Sequence, residues 1–570
     1  MHFEVWAPHA DRVLLILRGD AVFMERRERG WWSAEAEAAP GDYYGYSFDG
    51  VETLPDPRSE WQPLGVNGSS RVVDHSAFAW SDGDFTATRL QDAVIYELHV
   101  GTFTPEGTFE AALRQLDHLV DLGATHVELM PVAEFPGEHG WGYDGVDLYA
   151  PHHAYGGPQG LKTFVDGCHQ RGLGVLLDVV YNHLGPSGNH LGRFGPYFTK
   201  RFSTPWGDAI NFDDADADQV RAFFVDNALM WLRDYRLDGL RLDAVHAILD
   251  QSAVNILEQI ADEVHAEMPG KLVIAESDLN DPRLIADKER GGYGLDAQWS
   301  DDFHHAVHAL LTGETTGYYA DFGRIEHLAT ALRQGYVYAG NYSAFRRRDH
   351  GKLPEGIPGY RFLGYAQNHD QVGNRAKGDR LAHLVSHERL KLVAALVLTS
   401  PFTPMLFMGE EWAASSPFLY FTDHDDPRLG KAVSEGRKRE FAAFGWDPDE
   451  VPDPQDPSTF ELSKLDWGEI QKDDHADLLA WHKRLIALRK ETEALRDGRF
   501  DLVKVTHDDN GWLALQRGQV TVAFNLTEAE LAVPLEQART TELLLSSGPD
   551  PKIRPDETIL PPTSVTIFSA

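Results

Sequence analysis

GLRLDAVH, residues Gly239 to His246, is the stretch on which the fold turns. Its apolar residues mark a buried strand, while Arg241 and Asp243, two positions apart, point to the same face. There the guanidinium can hold the carboxylate ionised. A buried carboxylate is costly unless it is paired or hydrogen-bonded, so a strand that ends in one carries it for a purpose.

Outward from this strand the pattern repeats. From about Gln91 apolar runs alternate with helical stretches, which is the signature of βα units and a parallel sheet. The runs are AVIYELHV (93–100), THVELMPV (125–132), GVLLDVV (174–180), GLRLDAV (239–245), KLVIAES (271–277), GLDAQWS (294–300), RFLGYAQ (361–367) and PMLFMGE (404–410). Eight such strands close a barrel whose interior is filled by side chains, so the expected centre is a (β/α)8 barrel of the TIM type over residues 89–492. A segment rich in Gly, Pro and aromatics, 184–214, is expected to be a loop insertion over the barrel mouth, and WHKRLIALRKET (481–492) a helix that closes the barrel region. Residues 1–88 read as a small antiparallel β-sandwich with a Pro- and Gly-rich linker from Leu54 to Asp74, and 493–570 as a second β-sandwich.

The composition excludes several classes of protein. With 42% hydrophobic and 25% charged residues the chain is neither disordered nor fibrous. Its formal net charge of -37 repels phosphate backbones and anionic membrane surfaces, so neither nucleic acid nor a membrane is an expected partner. Cys168 is the single cysteine, so an intramolecular disulfide is ruled out and a reducing, cytoplasmic setting is favoured. The N-terminal residues lack the basic, apolar and small-residue regions of a secretory signal, and no apolar run is long enough to span a bilayer.

In a barrel of this kind the active site lies at the C-terminal ends of the strands. The third strand ends in Asp178, Asn182 and His183, the fourth in Arg241, Asp243 and His246, the fifth in Glu276, and the seventh in His369 and Asp370. Two carboxylates flanking one bond are the minimal equipment for glycoside hydrolysis through an oxocarbenium-like transition state. Asp243 is the expected nucleophile and Glu276, kept protonated by apolar surroundings and neighbouring carboxylates, the expected general acid/base. Asp370 would favour the charged transition state, with His183, His369 and Arg241 holding sugar hydroxyls and the nucleophile. Trp141 and Tyr143, between the second and third strands, are the aromatics singled out for sugar contact.

DVVYNH, GLRLDAVH, VIAESD and NHDQ together resemble the four motif regions of the α-amylase family of glycoside hydrolases. The resemblance gives Asp243, Glu276 and Asp370 the same three roles, and no catalytic position departs from the family pattern. The opening FEVWAPHADRVLLIL looks like the β-sandwich that precedes the barrel in branching and debranching members. Stretches outside the shared motifs, among them LMPVAEFPGEHGWGYDGVDLYAPHHAYGG, QWSDDFHHAVHALLTGETTGYYADFG and SPFLYFTDHDDPRLGKAVSEGRKREFAAFGW, resemble the members that release trehalose from maltooligosyltrehalose. Branching members typically carry Glu after the last His-Asp; Gln371 stands there.

By this resemblance the substrate is a maltooligosyltrehalose or related α-glucan, and the bond hydrolysed is the α-1,4 link beside the terminal trehalose. Substrate contacts are expected from Tyr143, Asp178, His183, Arg241, His246, Asp301, Asp302, His304, His305, His369, Gln371 and Asn374. No cofactor or metal is expected, because the 26 histidines show no HExxH motif and no Cys/His cluster. In secreted α-amylases the Asn matching Asn182 helps hold calcium, which an intracellular member does not need. FRRRDHGK (345–352) reads as a solvated loop or sugar clamp in preference to a phosphate site. Two other readings use the same residues: a branching or debranching enzyme, and a barrel that binds glucan without cleaving it.

Overall fold

The computed structural model describes every residue except positions 49, 51, 444–446, 536–541, 555 and 570. The end of the REFAAFGW stretch therefore lies outside the described residues. The eight apolar runs form eight parallel strands: β1 (Ile95–Leu98), β2 (His126–Leu129), β3 (Gly174–Val179), β4 (Gly239–Leu242), β5 (Leu272–Ala275), β6 (Ala297–Trp299), β7 (Phe362–Gly364) and β8 (Thr403–Phe407). They pair in chain order, and β8 pairs back to β1, which closes the barrel. Each strand is buried along almost its whole length, because helices cover one face and the barrel core the other, which is why the runs are apolar without alternation.

Helices α1 (Leu116–Leu122), α2 (Gly157–Gln170), α3 (Ala217–Asp234) and α4 (Ile256–Glu267) follow the first four strands. After β6 come α5 (Asp301–Thr312) and α6 (Ile325–Gln334), after β7 α7 (His387–Thr399), and α8 (Asp473–Glu491) closes the circuit. Local chemistry starts them: the Asn255 side chain accepts from Leu257 N at the head of α4, and Ser386 Oγ from Arg389 N at the head of α7. The crossover from β5 to β6 departs from the expected repeat. It holds only 3₁₀ turns, Pro282–Leu284 and Lys288–Arg290, where Pro and a Gly pair discourage a longer helix. Cys168 is buried on α2, just ahead of β3.

The 184–214 insertion carries more structure than a loop. It contains a short helix, Leu191–Phe194, and a hairpin of Phe198–Thr204 against Gly207–Ile210. Ahead of the barrel stand a three-stranded sheet (His2–Trp6, Trp31–Glu35, Glu25–Arg26) and a four-stranded sheet (Asp20–Phe23, Leu14–Leu17, Tyr43–Ser47, Ser70–Arg71). After it a five-stranded antiparallel sheet faces a three-stranded one made of Leu531–Pro534, Glu557–Leu560 and Lys552–Ile553. One continuous apolar cluster runs from Phe3 and Trp6 through the barrel to Leu515, Val522 and Ile567, so the three layers share a core.

Candidate active site

Arg241 organises the floor of the barrel mouth. Buried on β4, it donates from Nη1 to Asp178 Oδ2 (2.6 Å) and Asp243 Oδ1 (2.8 Å), while Nη2 lies 3.7 Å from Glu276 Oε2. Its guanidinium lies over the Trp299 ring from β6 at 4.1 Å, which seats the cation without using a hydrogen bond. Asp243 also accepts from Asn182 Nδ2 on Oδ2 (2.6 Å), so both of its carboxylate oxygens are held by donors and the carboxylate cannot rotate freely.

Glu276 sits in a different environment. Burial drives its pKa well above the ordinary carboxylate range; Arg241 opposes that, and Asp243, Asp301 and Asp370 reinforce it. Ala244, directly after Asp243, takes a left-handed φ of 39°, strained for a non-glycine residue, and its amide donates to Glu276 Oε2. That contact leaves Oε1 to carry the proton. One carboxyl held by two donors beside one kept neutral is the pair of environments an acid–nucleophile division requires.

The third carboxylate, Asp370, lies on the short helix His369–Gly373, capped by the Asn368 side chain on Gln371 N. Its neighbour His369 is fixed by Glu97 on β1, which accepts from Nδ1 (2.5 Å) and from the backbone N (3.2 Å). Burial opposes the imidazolium, but Glu97 and Asp370 outweigh it and raise the pKa to about 9. Tyr143 bridges Asp178 Oδ2 (2.5 Å) and His369 Nε2 (2.7 Å), and His183 Nε2 meets Tyr143 O at 3.0 Å. Burial lifts Asp178 to about 6 against the pull of Arg241.

The structure thus brings together Tyr143, Asp178, His183, Arg241, Asp243, Glu276, His369 and Asp370. Asp301, whose carboxyl burial raises to about 7, borders Glu276 and accepts from Tyr365 OH. His246, part-exposed, lies on the rim with Nδ1 3.9 Å from Asp278. Gln371 and Asn374 flank Asp370, and Asn374 Nδ2 donates to Asp370 Oδ1 at 3.2 Å. Other expected contacts are turned elsewhere. Asp302 Oδ2 accepts from Asn280 Nδ2, Val337 N and Tyr338 N, which anchors the chain after α6. Both His304 ring nitrogens are engaged, by Ala366 O and Tyr319 OH, and His305 is buried among Tyr318, Tyr319 and Phe322. Trp141 is buried as well, stacked on Phe418 and donating to Leu419 O, so it is a core residue and no sugar platform.

Several site neighbours went unread in the sequence. Glu97 and Trp299 lie inside quoted strands, where a carboxylate in an apolar run was the available signal for Glu97. Trp206, at the tip of the insertion hairpin, stacks on His183 at 4.4 Å with half its surface exposed. Arg346, in FRRRDHGK, donates to Asp278 Oδ2 (2.9 Å), tying the hairpin Ala339–Ser343/Arg348–Gly351 to the segment after Glu276. Among the described residues one group, Glu134, His152 and His153, places metal-capable atoms within 4.8 Å of one another; both Glu134 oxygens already accept from His153.

Fold and carboxylate placement together are those of the α-amylase class of glycoside hydrolases. The model of the alpha amylase catalytic domain matches residues 75–193, and that of a domain of unknown function matches residues 498–567. A malto-oligosyltrehalose trehalohydrolase of Rhizobium sp. (strain M-11) is 50% identical, with 99% of this chain and 97% of that protein covered. One of Arthrobacter ramosus is 52% identical, covering 93% and 94%. A 1,4-alpha-glucan branching enzyme of Corynebacterium jeikeium reaches 29% over 72% of this chain and 60% of its own length. Among solved structures, one from Salmonella typhimurium named for alpha amylase superposes with a TM-score of 0.92 at 39% identity, covering 100% of this chain and 97% of that one. The chain belongs to the malto-oligosyltrehalose trehalohydrolase family.

Proposed function

We propose that the chain hydrolyses the α-1,4 bond beside the terminal trehalose of a maltooligosyltrehalose by double displacement with retention. Asp243 attacks the anomeric carbon while Glu276 Oε1 gives its proton to the departing trehalose oxygen. Glu276, now a carboxylate, then takes a proton from water, which attacks the same carbon and frees Asp243. The observation that carries this reading is Arg241, which holds Asp243 on one nitrogen and approaches Glu276 with the other. Two carboxyls on one guanidinium suit the spacing of about 5 to 5.5 Å used by retaining enzymes better than the wider gap of inverting ones.

Trehalose as leaving group is supported by the family's near-half identity along almost the whole chain, which includes the segments that frame the site. Asp301, Gln371 and Asn374 from those segments border the carboxylates, and Trp206 and Arg346 bring two hairpins to the rim. Hydrogen-bonding groups matched to trehalose would be left unpaired by maltose, at about 1–3 kcal/mol each, so two mismatches give roughly a hundredfold preference. No helix among the described residues is long and apolar enough to cross a membrane. The lone cysteine fits work in the reducing cytoplasm. The test is to incubate the pure enzyme with maltotriosyltrehalose and with maltopentaose and to compare kcat/KM. Trehalose plus maltotriose, formed far faster than any product from maltopentaose, is expected; equal rates would make the chain a general α-glucan hydrolase, and longer branched products a branching enzyme.

A further inference from the structure

Asp370 is the least fastened of the three carboxylates. Its side chain is 45% exposed, and its nearest cation, His369 Nε2, is 3.6 Å from Oδ1. The side-chain amide that donates to it is Asn374 Nδ2. At its other end that amide meets Arg437, whose Nη2 donates to Asn374 Oδ1 (2.9 Å) and to Gly373 O (2.7 Å). The guanidinium fixes which way the amide faces. Flipped, Asn374 would set its NH₂ against an arginine N–H and its oxygen against a carboxylate, two repulsive contacts in place of two hydrogen bonds.

Arg437 comes from outside the eight βα units, on the helix Pro427–Ala443 between β8 and α8. It is half-buried, with its guanidinium over the rings of Tyr420 (4.7 Å) and Phe441 (4.8 Å), so the cation is itself seated before it reaches the site. We propose that Arg437 is a positioning residue: through the Asn374 amide it holds the Asp370 carboxylate in one orientation without touching the sugar. This rests on the reading of Asp370 as the third essential carboxylate. A half-exposed carboxylate rotates, and each unproductive rotamer lowers the fraction of complexes in which charge can develop against a fixed oxygen. The relay therefore acts on kcat more than on substrate binding.

The full-length enzyme with maltotriosyltrehalose tests it. Arg437→Met and Asn374→Ala should each lower kcat about tenfold with KM within about twofold, and Arg437→Lys should recover most of the loss. Because the two residues act in series, the double variant should lose no more than the worse single one. A wild-type kcat in Arg437→Met, a loss confined to KM, or losses that multiply to about a hundredfold would overturn the relay. Should Arg437→Met fail to fold, Arg437→Gln, too short to reach Gly373 O and Asn374 Oδ1 together, with and without Asn374→Ala gives the same series-or-independent answer. Asp370→Asn separates the two levels: near-native activity there sinks the reading of the site itself, whereas an inactive Asp370→Asn beside an unaffected Arg437→Met sinks only the relay.

Discussion

At the scale of single residues the site is a distribution of protons over buried carboxyls around one guanidinium. Asp243 is the group both Arg241 and Asn182 hold, so Asp243→Asn should lose on the order of a thousandfold or more in kcat with the fold intact. Glu276 is pushed above the ordinary range chiefly by burial, so the protonated, active form persists upward in pH, and the alkaline limb of kcat/KM should lie well above that of a free carboxyl. Glu276→Gln should remove that limb and should still turn over aryl glucosides whose phenol leaves without a proton; an unchanged alkaline limb would move the acid role elsewhere. His369 gives a second pH statement. Its folded pKa of about 9 exceeds an unfolded value of about 6.5, so the stability it draws from Glu97 is complete below about pH 6.5 and is lost as pH rises through about 9. In Glu97→Gln the thermal midpoint should start lower at neutral pH and fall less between neutral pH and about pH 10 than in the wild type; parallel curves would show that the pair contributes nothing of the kind.

At the scale of elements the short helix His369–Gly373 depends on close packing. A Cβ on Gly373 would lie 2.0 Å from Trp141 Cζ2, and Trp141 cannot yield, being stacked on Phe418 and hydrogen-bonded to Leu419 O. Gly373→Ala should therefore cost about 1–3 kcal/mol of stability and lower kcat more than it raises KM, because the helix that shifts carries Asp370. Steady-state kinetics beside a melting curve checks both. The same element scale shows what could be read beforehand. Seven of the eight barrel strands fall inside the quoted runs and the eighth starts one residue early, at Thr403, since burial on both faces leaves an unbroken apolar signal, and the carboxylates at their ends follow from the barrel rule. Asp302 and His304 face other partners than Asp301 does because Asp301 begins α5, where successive side chains turn about 100° and neighbours face different ways. The strands Leu531–Pro534, Lys552–Ile553 and Glu557–Leu560 are short, part-exposed and bounded by Pro, so they carry little periodic signal. Arg437 had no signal at all, because its partners are brought to it only by the folded chain.

At the scale of the whole molecule the question is what makes the C-terminal sheets part of the enzyme and not a passenger. Apolar contact is one part, since Leu513, Leu515 and Val522 belong to the same cluster as the barrel helices. The other is Arg517 on the strand Trp512–Arg517, fully buried, whose guanidinium donates to Thr399 O at the end of α7 (2.8 Å) and to Asp497 O on the way out of the barrel. Among the described residues no carboxylate side chain pairs with this cation, and burial pushes its pKa down to about 10, with Asp497 opposing. It is held by carbonyl dipoles, two of them at chain ends of helices where the backbone has no partner of its own. Arg517→Met keeps the apolar stem but strands those carbonyls in the interior, at about 1–3 kcal/mol each, so a loss of about 2–4 kcal/mol is expected. Calorimetry should show the C-terminal layer melting ahead of the barrel in the variant, since a chain of several layers unfolds as one only while their junction outlasts each of them. Because Arg517 lies behind α7 and away from the strand ends that carry the carboxylates, kcat well below the new transition should match the wild type. An unchanged melting profile would mean that the apolar cluster alone unites the layers, and a loss of kcat in the folded variant would mean that the C-terminal sheets reach the site by a route other than the barrel wall.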